Sequence, residues 1–230
     1  MNTELLQYIK SDIKFEDFPE ELKYGQQNVV LNDFGETAAM AWLHYRHETP
    51  PEEYMGDMSK KNFYGFTAAM YWCEYTKEKE LHPRMLHNKY ITNNEGMPLS
   101  MVYMACREKL PPDELLCDPE FKDSRGRTQA MFYLQNIIGE LPEKLFHDKY
   151  IADNNGNTLE FYYVLYDHRY NPRFEISNIY KNRKGDTLVM AAIQHFQGEV
   201  DYIPKHMYHD KDAVTNNDGR SYNDLKSMYC

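Results

Sequence analysis

Leu141–Thr158 reads L-P-E-K-L-F-H-D-K-Y-I-A-D-N-N-G-N-T, and its residues have a consistent physical reading. Proline suits the first turn of a helix, where its missing N–H would be unpaired in any case. Glu143, just behind it, suits the positive end of a helix, and Leu145 is the apolar residue that docks this short helix. Asp153-x-x-Gly156 is a tight turn: the Asx side chain bonds its own backbone, and glycine takes a positive φ at little cost. Thr158, two residues further on, is placed to cap the start of a longer helix.

The same element recurs along the chain. Gly35, Gly65, Gly96, Gly126, Gly156, Gly185 and Gly219 are separated by 30, 31, 30, 30, 29 and 34 residues. Three positions before each stands Asn32, Asn62, Asn93, Asp123, Asp153, Asn182 or Asn216. Two positions after, a hydroxyl follows at Thr37, Thr67, Thr128, Thr158, Thr187 and Ser221, with Pro98 the exception. Pro19, Pro51, Pro83, Pro112, Pro142, Pro172 and Pro204 keep step, 13 to 16 residues before a glycine. Five positions past the glycine come Met40, Met70, Met101, Met131, Phe161 and Met190. Two positions beyond these lie Trp42, Trp72, Tyr103, Tyr133, Tyr163 and Ala192. One slot recurring once per repeat predicts core filling, since repeats bury their faces against their neighbours. A period near 30 predicts an all-α solenoid of stacked repeats.

The unit resembles the ankyrin repeat, whose D-x-x-G-x-T turn stands here as Asp123-x-x-Gly126-x-Thr128, Asp153-x-x-Gly156-x-Thr158 and Asn182-x-x-Gly185-x-Thr187. The resemblance runs from about Phe18 to Leu225. It departs at the usual T-P-L-H, replaced by Thr37-Ala38-Ala39-Met40 or Thr128-Gln129-Ala130-Met131, and at the usual period of about 33. The glycine that usually closes the second helix gives way to His147-Asp148, His209-Asp210, Cys117-Asp118 or Ser177-Asn178. The resemblance implies one ankyrin-like helix-turn-helix solenoid of about seven repeats over residues 1–230. An N-terminal cap and first unit would fill 1–33, central repeats 34–218, and a truncated C-terminal cap 219–230. The wider last spacing predicts an insertion around Gly198 to Tyr202.

Composition narrows the function classes. No apolar run is long enough for a membrane helix, and Met1 to Lys10 has no secretory core. Cys73, Cys106, Cys117 and Cys230 show no metal spacing, which fits a reduced, cytoplasmic chain, or the host cytosol for an effector. The net charge is −10; residues 1–120 hold 12 Lys and Arg against 21 Asp and Glu, and residues 121–230 hold 14 against 15. An acidic half repels nucleic acid and anionic membrane, so neither is expected as a partner. No HExxH, P-loop, G-x-S-x-G or dinucleotide fingerprint occurs. No catalytic residue, metal or cofactor is therefore expected. The His147-Asp148 pair reads as a structural cap between repeats.

If the family geometry holds, partner contacts come from the two positions before each glycine and the one after. The candidates are Phe34, Glu36, Phe63, Tyr64, Phe66, Glu95, Arg125, Arg127, Arg183 and Lys184. Phe34, Phe63, Tyr64 and Phe66 put four aromatics on adjacent turns, where phenylalanine has little structural use. They form either one binding row running on to Arg127 or packing against neighbouring repeats. The leading functional reading is a non-enzymatic protein-interaction scaffold, an effector or inhibitor that works by occupying a protein partner. An enzyme, or a metal- or small-molecule-binding protein using an inter-helix groove, and a self-assembling homo-oligomer are the alternatives.

Overall fold

The structure, a computed structural model, describes residues 2–78, 80–86, 88–137, 139–197, 201–208 and 214–229. The chain groups into two compact units, Met1–Cys117 and Asp118–Cys230. The N-terminal unit carries helices α1 (Thr3–Lys10), α2 (Glu20–Lys23), α3 (Ala38–Arg46), α4 (Ala68–Tyr75) and α5 (Leu99–Arg107). The C-terminal unit carries α6 (Gln129–Asn136), α7 (Leu159–Tyr166), α8 (Leu188–Phe196) and α9 (Tyr222–Tyr229). Within each unit the long helices pack on the next in line: α1 on α3, α3 on α4, α4 on α5, then α6 on α7, α7 on α8, α8 on α9. Each repeat leans on its neighbour, which is how a short amphipathic unit buries its apolar face.

The methionine slot is the heart of the stack. Met40, Met70, Met101, Met131, Phe161 and Met190 are all at most 1% exposed. Trp42, Trp72, Tyr103, Tyr133 and Tyr163 form a second buried layer. Burying one such side chain contributes roughly 1.5–3 kcal/mol.

The second helical element is short, as the proline signal implies. After the four-residue α2 it is a single 3-10 turn in every repeat: Glu52–Tyr54, Pro83–Met85, Asp113–Leu115, Glu143–Leu145, Pro172–Phe174 and Lys205–Met207. Proline sits at the N-cap of most and at the first helical position in two. One apolar residue anchors each turn: Leu22 in α2, then Tyr54, Met85, Leu115, Leu145, Phe174 and Met207 are buried. The stretch 198–200 of the expected insertion, His209-Asp210 and Cys230 lie outside the described residues.

The long helices end without glycine. His47, Glu108 and Gln197 take the left-handed conformation at the C-caps of α3, α5 and α8, with φ of 59°, 52° and 53°. That geometry satisfies the last carbonyls, and for a residue with a Cβ it costs about 1–2 kcal/mol.

Candidate functional site: the turn ladder and its grooves

All seven Asx-x-x-Gly turns share one hydrogen-bond pattern. The Asx side-chain oxygen accepts the backbone N–H groups two and four residues on, as Asn62 does from Tyr64 (3.0 Å) and Phe66 (2.8 Å), and Asp153 from Asn155 and Asn157 (both 2.8 Å). Its own carbonyl accepts the glycine N–H at 2.9–3.1 Å. Single β-bridges then close the turn, for example Lys122 with Thr128 and Ala152 with Thr158. The hydroxyls of Thr67, Thr128 and Thr187 accept the amide three residues ahead. Thr37 and Thr158 make no such bond, a correction to their expected capping role.

The turns are also stitched to one another. Within each unit the N–H two before a glycine donates to the preceding turn: Phe63 to the Phe34 carbonyl (3.0 Å), Asn94 to Tyr64 (3.1 Å), Asn154 to Arg125 (2.8 Å), Arg183 to Asn155 (2.8 Å) and Asn217 to Lys184 (3.1 Å). Where that residue is asparagine, its side-chain amide adds a second rung, at 2.8 Å, to the carbonyls of Phe63, Ser124 and Arg183. The ladder explains the glycines beyond their positive φ. A Cβ on Gly65 would lie 2.5 Å from the Asn94 nitrogen, and one on Gly185 2.6 Å from that of Asn217.

The ladder corrects part of the expected contact set. The residue after the glycine turns inward at some turns and not at others: Asp186 is buried, Met97 and Asn157 are half-buried and Arg220 is exposed, although the Asx oxygen holds its N–H in every turn. Glu36 and Arg127 are among those turned inward, 1% and 7% exposed, and Phe66 packs half-buried against the core. The remaining candidates are exposed: Phe34, Phe63, Tyr64, Glu95, Arg125, Arg183 and Lys184. Phe34 stacks on Tyr64 at 6.4 Å with 27° between the rings. Phe63 lies over Gly35 yet keeps 70% of its surface in solvent.

Behind the turns of the N-terminal unit lies a cavity of about 280 Å³ whose wall the sequence reading did not assemble. Phe34, Tyr64 and Phe66 line it from the turns, and His44, Tyr71, Glu74 and Tyr75 from α3 and α4. Glu36 joins the two sides. Its carboxylate accepts from the Tyr71 hydroxyl (2.7 Å), from His44 Nδ1 (3.0 Å) and from the Asn32 amide (2.6 Å), while Asn62 donates to the Tyr71 hydroxyl at 2.9 Å. Because a carboxylate only accepts, the His44 proton sits on Nδ1. Burial, and then the bond to Glu36, pushes the Tyr71 phenol far above its usual range. Burial and the neighbouring Glu74 push Tyr75 up to about 12. A partial signal for His44 and Glu74 is the helical position nine past the glycine, polar at His44, Glu74, Gln135 and Gln194 and apolar at Ala105 and Leu165.

The C-terminal unit fills the equivalent places differently. Arg127 pairs with Asp123 at 2.7 Å, bonds Gln135 at 2.8 Å and lies 4.8 Å over the Phe132 ring. Asp186 accepts from Gln194 and Asn216, both at 2.9 Å, and the Tyr162 hydroxyl donates to Asp153 at 3.0 Å. A cavity of about 390 Å³ there is lined by Asn155, Asn157, Asn182, Lys184, Gln194 and His195, among others. His147 donates from Nδ1 to the Asp148 carbonyl and accepts from the Thr128 hydroxyl at Nε2, both at 2.8 Å. This is the neutral ring, and burial lowers its pKa from the usual 6.5. Among the described residues no group of three His, Cys, Asp or Glu is placed to hold a metal, and no helix is long and apolar enough to cross a membrane.

No family model matches the chain, and no curated protein matches it. Among solved structures it is similar to EF0377, an ankyrin repeat protein, at 11% identity over 62% of this chain and 79% of that one, with a TM-score of 0.38. It is also similar to the ankyrin repeat domain of Bcl-3, a member of the IkappaB protein family, at 12% identity over 87% and 81%, with a TM-score of 0.34. The repeated unit runs Asx-Gly turn, long helix, short return helix, next turn. The fold is ankyrin-like. Its departures are the single 3-10 turn in place of a full second helix and the non-glycine C-caps.

Proposed function

We propose that this protein is a non-enzymatic interaction scaffold that holds a protein partner against the turns of its N-terminal unit, acting as an effector or inhibitor by occupying that partner. The observation that supports this reading is the set Phe34, Phe63 and Tyr64, which stand on consecutive turns and are 50%, 70% and 58% exposed. The ladder that fixes those turns uses only backbone and Asx atoms at these positions, so the rings are not needed to make the turn. Large exposed aromatics are the usual energetic anchors of protein interfaces. Glu95 extends the set on the next turn of the same unit. Arg125, Arg183 and Lys184, on turns of the C-terminal unit, make a second contact set of interface-prone or charged residues. The compartment we propose is the cytosol, of the source cell or of a host.

The test is affinity capture from the source cell with the intact chain and with Phe34→Ser, Phe63→Ser and Tyr64→Ser combined. Phe66 is left in place because it packs on the core. The expected outcome is a folded variant that loses the specifically captured protein. A folded variant that retains it would sink the proposal.

A further inference from the structure

The cavity beside Gly35 and Gly65 has a composition that an apolar anchor does not match. Phe34, Tyr64, Tyr71 and Tyr75 line it together with the carboxylates of Glu36 and Glu74, and no Lys or Arg is among its lining residues. Its volume, about 280 Å³, falls at the low edge of the range for small-ligand pockets, roughly 300–1,000 Å³. That is the scale of a long side chain rather than of a helix. Glu36 is buried, and its polar contacts are a phenol, an imidazole and an amide. Glu74 stands exposed at the rim. The stacked pair Phe34 and Tyr64 holds two rings within 27° of parallel.

We propose that this cavity takes the cationic side chain, lysine or arginine, of a basic segment in a protein partner. The proposal rests on the reading of this unit as a partner surface and names the chemistry recognised. Aromatic rings attract a cation through their quadrupole, and a rim carboxylate adds a charge-assisted hydrogen bond. An apolar side chain seated there would strip water from Glu74 with nothing in return. The wider field agrees. Residues 1–117 carry 12 Lys and Arg against 19 Asp and Glu, which draws a basic segment toward the unit. The C-terminal cavity, by contrast, has Lys184 in its own wall.

The test uses the full chain and four synthetic peptides, Ac-GSGXGSG-amide, with X arginine, lysine, citrulline or acetyl-lysine, titrated by NMR. The charged peptides are expected to bind at least fivefold more tightly than their neutral counterparts and to shift the ring resonances of His44, Tyr64, Tyr71 and Tyr75. Glu74→Gln, at an exposed position, is expected to weaken the charged peptides at least threefold. Equal binding of charged and neutral peptides, or shifts confined to other acidic surfaces, would overturn the cation site. Phe63 does not line the cavity, which separates the two readings. If Phe63→Ser abolishes partner capture while Glu74→Gln leaves it intact, the surface stands and the cation site falls. If Glu74→Gln abolishes capture and Phe63→Ser does not, the cation site stands and Phe63 is not an anchor of the surface.

Discussion

The turns at Gly35 and Gly65 and those at Gly156 and Gly185 are the same object in backbone terms. Both sets show the Asx oxygen bonding two amides and the next turn donating across. The side chains mounted on them share almost nothing. The N-terminal pair presents Phe34, Phe63 and Tyr64 over a cavity of tyrosines and carboxylates, whereas the C-terminal pair presents Asn154, Asn155, Arg183 and Lys184 over a cavity rich in amides. The contrast teaches where this chain has chemical freedom. The ladder's common part engages main-chain groups and one Asx, so the residues just before glycine vary around it, with the Asn94, Asn154 and Asn217 side chains adding rungs of their own. The residue just after glycine has less freedom where it lies under the turn, because there it must find a buried partner, as Glu36, Arg127 and Asp186 do.

The largest expected effect probes what the two regions share. Gly65→Ala and Gly185→Ala should each cost about 3 kcal/mol in urea unfolding, the sum of a left-handed Cβ penalty and a backbone overlap. Gly219→Ala, at φ 75° with nothing within 4 Å of the added carbon, should cost only about 1–2 kcal/mol. Equal losses at all three positions would mean that the close approach between turns contributes nothing.

The next effect separates the units by pH. Glu160 is 2% exposed, where the equivalent positions in other repeats are Ala39, Ala69, Ser100, Ala130 and Val189. Burial raises its pKa from 4.5 to about 7. A folded value above the unfolded one means that the contribution is whole below pH 4.5 and lost as pH rises through 7, a span of about 3 kcal/mol. His147 has the opposite sense: its lowered value makes stability fall as pH drops below 6.5. Glu160→Ala should therefore raise the melting temperature at pH 8 more than at pH 5. An equal rise at both pH values would rule out titration of Glu160 as the cause.

Tyr71→Phe and Tyr162→Phe compare the buried networks directly. Each removes a hydroxyl donating to a buried carboxylate, Glu36 or Asp153, and each should cost about 1.5–3 kcal/mol. A double mutant with Glu36→Gln should recover part of the Tyr71 loss, readable in a thermodynamic cycle. The smallest effect should be a gain. Glu108→Gly and Gln197→Gly, one per unit, relieve left-handed C-caps and should stabilise by about 1 kcal/mol each, measured as a shift in the urea midpoint.

Much of the fold was legible because repetition exposes it. The Asx-x-x-Gly spacing and the methionine slot follow from local backbone chemistry and helical period, and they fall in the structure as turns and core. The candidate site was legible only in part. Phe34, Phe63 and Tyr64 stand exposed as a turn reading expects, while Glu36 and Arg127 turn inward, because no local rule says which side of a turn faces the helix behind it. His44, Tyr71, Glu74 and Tyr75 escaped notice because on their own helices they read as ordinary amphipathic positions.

By itself the sequence determined the period, the turn chemistry and the residues that fill the core, since each depends on contacts within one repeat or on a pattern repeated in all. Only the tertiary structure decided which polar residues are buried and which line a common cavity. Glu36 and Tyr71 are 35 residues apart, yet share a hydrogen bond. They meet only because one repeat is stacked on the next at the spacing the turn ladder sets.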